Sequence, residues 1–206
     1  KSTTLASMVD YININRVEHI MTIEDPVEFS LDGVNQMQVS KDTGFTFAQG
    51  LKTILRLSPD VVLVGEIRDK ETADIAVESG LTGQLVLSTL HAEDSVGALF
   101  RLLDLDIETY LLNSSLMGIV AQRLIRKICT SCKESVTIGK DEADLFQKAV
   151  GRPPRQLFTS RGCEYCASLG FKGRRGIYEV LVINSKIREL LRNQVTATDL
   201  REKLIL

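Results

Sequence analysis

A chain of 206 residues is long enough for one or two cores, and 44% hydrophobic with 25% charged residues is the balance of a globular protein, which excludes a disordered chain. The formal net charge of -2 excludes a global basic field for nucleic acid, leaving only local basic spots. Apolar stretches such as Val61–Val64 fall far short of the roughly 20 residues that span a bilayer. No signal-peptide pattern opens the chain, so membrane association is expected only through a partner.

The chain opens on Lys1-Ser2-Thr3-Thr4 rather than Met, and it is read here as a piece of a longer protein. Leu5, Met8, Val9 and Ile12 recur at helical spacing and predict a helix from about Lys1 to Asn13-Ile14-Asn15. His19–Ile23 reads as a short buried strand stopped by Pro26. Val34–Val39 alternates apolar and polar residues, as an exposed strand or a hairpin arm does. Phe47, Leu51, Ile54 and Leu55 mark a second helix, bounded by Pro59. Val61–Val64 is expected as a central parallel strand covered on both faces. Asp69 is placed to cap the next helix and Gly80 to close it. Leu85–Leu87 reads as another buried strand, followed by a helix capped by Asp94. A helical stripe from Leu111 through Ser115, Ile119 and Val120 is expected to continue towards Ile128. Strand and helix alternation of this kind predicts βαβ units and a mostly parallel α/β sheet.

The texture changes at Cys129: four cysteines, Pro153-Pro154 and many charges, with little periodicity, suggest a small metal-stapled insert. Ile177–Val182 returns as a strand. Two short amphipathic helices follow, around Ile187, Leu190 and Leu191, then Leu200 and Leu204.

Several short strings carry chemistry. Lys-Ser-Thr at a helix start fits the end of a phosphate-binding loop, where the lysine reaches phosphate, a hydroxyl holds Mg²⁺ and free N–H groups face the anion. Taken alone, a polar helix start explains these residues as well. Glu66 follows a four-residue apolar strand, where an acid points into the ligand crevice and can hold a Mg²⁺ water shell; Gly65 before it allows close backbone approach. Glu24, Asp25 and Glu28 gather three carboxylates after a strand, either a solvated turn or a site where one acid takes the proton of an attacking water. His91, one of two histidines, ends the third strand, where imidazole can bond or sense a phosphate. Cys129-x-x-Cys132 and Cys163-x-x-Cys166 can close a four-thiolate structural zinc site, with two redox dithiols as the alternative. Paired thiols in a chain with ample core favour metal over disulfides, and the cytoplasm over a secreted setting. Arg126, Lys127, Lys133 and Arg161 are close in sequence and could offset the thiolate charge.

Together these strings resemble one family. Thr22–Glu28 (TIEDPVE) resembles the Asp box of the type II secretion and type IV pilus-assembly traffic ATPases, Ser58–Asp69 (SPDVVLVGEIRD) their Walker B region, and Thr82–His91 (TGQLVLSTLH) their His box. Gln122–Cys129, Gly162–Cys166 and Gly170–Val180 resemble their tetracysteine domain, which marks the secretion and pilus-assembly branch. The resemblance implies a RecA-like P-loop ATPase core at 1–128, lacking the loop glycines, a zinc subdomain at 129–176, and a C-terminal strand and helices at 177–206. It implies Mg²⁺ with ATP and structural Zn²⁺, a homo-hexamer, and membrane contact only through inner-membrane platform and docking proteins, in the cytoplasm.

Carried over residue by residue, Lys1, Ser2 and Thr3 contact the nucleotide, with Ser2 and Glu66 at Mg²⁺. Glu28 is the general base, Glu24 and Asp25 shape its pocket, and His91 senses the γ-phosphate. Arg68, Arg101, Arg123 and Arg126 are candidates for charge stabilisation across a subunit interface. Without the glycine loop most backbone phosphate donors are missing, so this piece alone is expected to bind ATP weakly. Two rivals remain at this stage: a non-hydrolysing zinc-stapled docking module, and a nucleic-acid-translocating ring ATPase of the same core, which the absence of a basic surplus weakens.

Overall fold

The computed structural model describes residues 1–154, 156–193 and 195–204. It divides into two compact units, 1–121 with 179–206, and 122–178, where the sequence reading drew boundaries after residues 128 and 176.

The first unit opens with helix α1 (Ser2–Asn15) and continues through β1 (Ile20–Glu24), β2 (Asn35–Gln38), α2 (Phe47–Leu55), β3 (Val61–Val64), α3 (Lys70–Leu81) and β4 (Leu85–Ser88). The four strands form one sheet in the order β2-β1-β3-β4, every pair parallel. Ile20 lies opposite Val61, and Val61 opposite Leu85. Parallel neighbours need crossovers, and α2 and α3 supply them on the way into β3 and β4.

Side chains alternate across a strand, which sorts the core into two layers. Ile20, Val61 and Leu63 pack with Val9, Leu5 and Ile12 of α1 on one face. Met21, Ile23, Val62 and Val64 pack on the other, against Phe47, Leu51 and Ile54 of α2 and Ala73 and Ala76 of α3. All four residues of β3 are buried because both faces are covered. Thr46 closes a reciprocal capping box with Gln49 at the start of α2, while Asp69 accepts the Thr72 N–H and caps α3. The chain then forms α4 (Ser95–Asp104), whose cap Asp94 accepts from the Gly97 N–H, and α5 (Thr109–Ser115).

Strand β5 (Gly118–Ile128) leads from the first unit into the second. There β6 (Lys133–Val136) pairs antiparallel with β7 (Leu157–Ser160), with α6 (Lys140–Val150) between them in sequence. A 3₁₀ turn (Glu164–Cys166) precedes β8 (Phe171–Val182), which pairs with β5 and returns the chain to the first unit. Helices α7 (Ser185–Arg192) and α8 (Ala197–Leu204) follow. Their Ile187, Leu191 and Leu200 join Val96 and Leu99 of α4 in a second core cluster. Arg201 of α8 donates through Nε and a terminal nitrogen to the two Asp94 oxygens at 3.1 and 3.2 Å, tying α8 to the start of α4.

The structure corrects three local expectations. The helical stripe does not reach Ile128: α5 stops at Ser115, and Gly118–Ile128 is a strand. Leu111 to Val120 fits helical spacing, but Gly118 interrupts it and the β-branched Ile119, Val120, Ile125 and Ile128 suit the ribbon with β8. Gly80 lies inside α3, which ends at Thr82, and Gly83 supplies the left-handed turn at φ 107°. Of the two readings of residues 34–39, the strand holds: 35–38 form an edge strand parallel to β1. Strand β4 is half-buried rather than buried.

Leu51 is fully buried between α2 and the sheet. Leu51→Ala is expected to destabilise the first unit by about 3 kcal/mol through lost transfer energy and a residual cavity, read as a lowered urea midpoint.

Candidate active site and metal centre

Parallel register decides where the chemistry gathers. Ile23, Val64 and Ser88 are paired in line across the sheet, so β1, β3 and β4 release their chains side by side at the carboxyl edge. In an open parallel sheet that edge is the ligand crevice. A cavity of about 250 Å³ lies there, lined by Lys1, Ser2, Glu24, Asp25, Glu28, Glu66 and His91 among others. Of the residues expected at a nucleotide site, only Thr3 is outside this lining; it sits in the first turn of α1, where its carbonyl accepts from Ser7 Oγ.

Gly65 explains how closely the strand ends approach. A Cβ on it would lie 3.3 Å from both the Glu24 Cα and the Ile23 carbonyl oxygen, so a side chain would push the two acidic loops apart. Its N–H instead donates to Ile23 O at 2.8 Å.

Each polar group at the crevice has a distinct environment. Lys1 Nζ donates to the Leu90 carbonyl at 2.5 Å, and Ser2 Oγ donates to Glu28 Oε1 at 3.1 Å. Glu24 Oε1 accepts from Thr22 Oγ1 at 2.7 Å and from Gln36 Nε2 at 3.0 Å. Glu66 has a largely buried side chain, 14% exposed, and its Oε1 is paired with Arg68. His91 Nε2 stands 3.4 Å from Glu66 Oε2, within ion-pair reach but outside hydrogen-bond geometry, so Oε2 is buried without a hydrogen-bond partner. Arg68 holds the Glu66 carboxyl below its ordinary value; burial opposes that shift, and the His91 charge assists it. A buried carboxylate oxygen left without a donor fits a divalent cation, and the Ser2 hydroxyl lines the same cavity.

Motif reading missed the residues that hold this edge in shape. Thr89 Oγ1 donates to the Gly65 carbonyl at 2.8 Å while the Thr89 carbonyl accepts from the Ile67 N–H at 3.0 Å, so one residue grips the backbone on both sides of Glu66. Gln36 Oε1 accepts from Leu31 N and its Nε2 donates to Phe29 O, while Gln38 Oε1 accepts from Val27 N. These two side chains of β2 thereby hold the loop that carries Glu28. The available signal was three polar side chains, Asn35, Gln36 and Gln38, beside an acidic loop.

The second unit gathers its four cysteines. Their sulfurs all lie within 4.8 Å of one another and none is in a disulfide. Cys129–Cys163, Cys132–Cys166 and Cys163–Cys166 are separated by 3.9, 3.8 and 3.7 Å. A tetrahedron of Zn–S bonds near 2.3 Å has edges of about 3.8 Å, so the donor set fits zinc. The two pairs are joined by the Cys129 N–H donating to Gly170 O at 2.9 Å. Cys166 Sγ accepts from the N–H groups of Cys163 and Gly170 at 3.2 and 3.3 Å. Burial works against its thiolate, yet these donors prevail and bring the thiol down to about 6. Cys132, dominated by burial, is pushed up to about 12.

Three of the four cations expected to offset the thiolates have other partners. Arg126 stacks 3.9 Å from the Phe171 ring centre, Lys133 stands over Phe158, and Arg161 pairs with Glu134. Backbone N–H groups reach the sulfur instead, because short turns can aim them where long exposed stems need not stay.

Residues 1–205 match the family model described as Type II/IV secretion system protein. Type II secretion system protein E of Pseudomonas aeruginosa is 47% identical over 194 residues, 94% of this chain and 38% of that protein. Type II secretion system ATPase E of Vibrio cholerae is 46% identical over the same shares. This chain therefore spans under two fifths of the length of either relative. Among solved structures, the pilus retraction motor PilT with bound ADP superposes with a TM-score of 0.68 at 31% identity, covering 99% of this chain and 50% of that one. The Legionella pneumophila ATPase DotB, 22% identical with a TM-score of 0.64, shares the fold. With a parallel α/β core and its crevice acids in place, the chain belongs to the type II/IV secretion system protein family.

Proposed function

We propose that this chain is the catalytic part of a ring motor that hydrolyses ATP to power type II protein secretion or type IV pilus assembly. The observation that carries the reading is the convergence of Glu28 and Glu66, from two strand ends, on one cavity with Lys1 and Ser2 of the α1 N-terminus. The similarity to a protein named a secretion ATPase, and to a motor solved with ADP, supports it.

In this reading Lys1 and the first N–H groups of α1 bind the phosphates, with Thr3 in the same turn. Ser2 and Glu66 hold Mg²⁺, which neutralises phosphate charge when bound. Glu28 accepts the proton of the attacking water. The hydrogen bond from Ser2 Oγ to Glu28 supports this reading by placing the two side chains within reach of each other. Glu24, fastened by Thr22 and Gln36, shapes the pocket with Asp25. His91, with its side chain 80% exposed, is free to follow the γ-phosphate. The four cysteines hold a structural zinc, since a complete thiolate set leaves no open position for chemistry.

The motor is a homo-hexamer that works in the cytoplasm at the inner membrane and meets the membrane through platform and docking proteins of the machine. Among the described residues no helix is long and apolar enough to cross a membrane.

In the full-length protein, Glu28→Gln is expected to leave nucleotide affinity within about two-fold while turnover falls at least about 100-fold, the scale of a lost general base. Near-normal steady-state hydrolysis by that variant removes Glu28 from the role. For the second unit, serine in place of any one cysteine is expected to abolish bound zinc in elemental analysis. Limited proteolysis then cuts within 122–178 while the first unit resists; retention of one zinc per chain counts against the site.

A further inference from the structure

The pairing of Arg68 with Glu66 raises a problem for the site as proposed. Glu66 is to hold Mg²⁺, yet its Oε1 already carries a guanidinium. A divalent cation on Oε2 would lie beside the guanidinium on Oε1, and two like charges on one largely buried carboxylate repel each other, so the metal weakens the hold on Arg68. One partner is free to move and the other is not. The backbone around Glu66 is gripped on both sides by Thr89, whereas the Arg68 side chain is 58% exposed on the loop before α3. The carboxylate stays and the guanidinium leaves.

We propose that Arg68 is an exchangeable counter-cation: it neutralises Glu66 before the metal arrives, then yields the carboxylate to Mg²⁺–nucleotide and swings out on its exposed side chain. The inference rests on the ATPase reading above and deepens it. It gives Arg68 a task inside its own subunit, competition with the metal, which a cation reserved for a neighbouring active site would not have.

The measurement is the strengthening of nucleotide binding by metal. A fluorescent ADP analogue is titrated into the full-length protein in Mg²⁺ and in EDTA, and the ratio of the two dissociation constants is taken for each variant. If the ion pair holds Glu66 about nine tenths of the time, the wild-type metal effect is masked about ten-fold. Arg68→Ala is therefore expected to raise the ratio about five- to ten-fold, and Arg68→Lys, which keeps the charge, to raise it less. Arg68→Gln, which keeps most of the side-chain volume, serves as the second neutral variant, and circular dichroism checks the fold of each. A ratio unchanged or lowered in the folded neutral variants overturns the exchange. So does equal weakening in Mg²⁺ and in EDTA with the ratio constant, which would make Arg68 a direct phosphate contact. Wild-type protein that binds the analogue in neither condition overturns the ATPase reading itself and the exchange with it.

Discussion

Three parallel strands ending at one level are the constraint on which the rest of the structure depends. Because Ile23, Val64 and Ser88 are in line, the segments after them leave the sheet together, and Glu24–Glu28, Glu66 and His91 are delivered to one crevice. Burial of β3 on both faces fixes that level: a slip of one residue would turn Val62 and Val64 towards α1 and carry Glu66 to the wrong side. Gly65 then sets the spacing, since any side chain there would press on the end of β1.

Much of this was legible in the sequence, for a physical reason. Strands buried on both faces must be apolar throughout, so acids at their ends stand out, and Asp69 and Asp94 cap helices where their side chains can reach free N–H groups. What stayed hidden acts through backbone or over long separations. Thr89 works on Gly65 and Ile67, more than 20 residues earlier, and a threonine at a strand end has nothing in its type to announce that. Residues 118–128 were ambiguous because their apolar spacing fits a helix, and only pairing with β8, about 50 residues later, decides for strand. The cysteine pairs were plain from spacing, but the N–H groups that reach Cys166 depend on turns that spacing does not specify.

Bulk charge concealed a division that the two units expose. Residues 122–178 carry 12 Lys and Arg against 5 Asp and Glu, while the remainder carries 13 against 22. The value of -2 for the whole chain is thus the difference between an acidic first unit and a basic cysteine unit. The basic surplus lowers the cost of placing thiolates in the second unit even though Arg126, Lys133 and Arg161 are turned to rings and a carboxylate there. A field summed over many exposed cations does not require any one of them to touch sulfur.

The acidic unit faces the converse problem, and its solution separates fixed groups from movable ones. Glu24 is fastened by Thr22 and Gln36, the Glu28 loop by Gln36 and Gln38, and the Glu66 backbone by Thr89. The cations beside them are Lys1, which donates to the Leu90 carbonyl, and Arg68 on an exposed stem, which holds Glu66. Holding the acids rigid leaves any reorganisation to side chains, while the backbone bonds from Gly65 N–H to Ile23 O and from Ile67 N–H to Thr89 O stay in place. In the ATPase reading proposed above, a site built this way keeps its negative charge in position while the positive group that answers it changes.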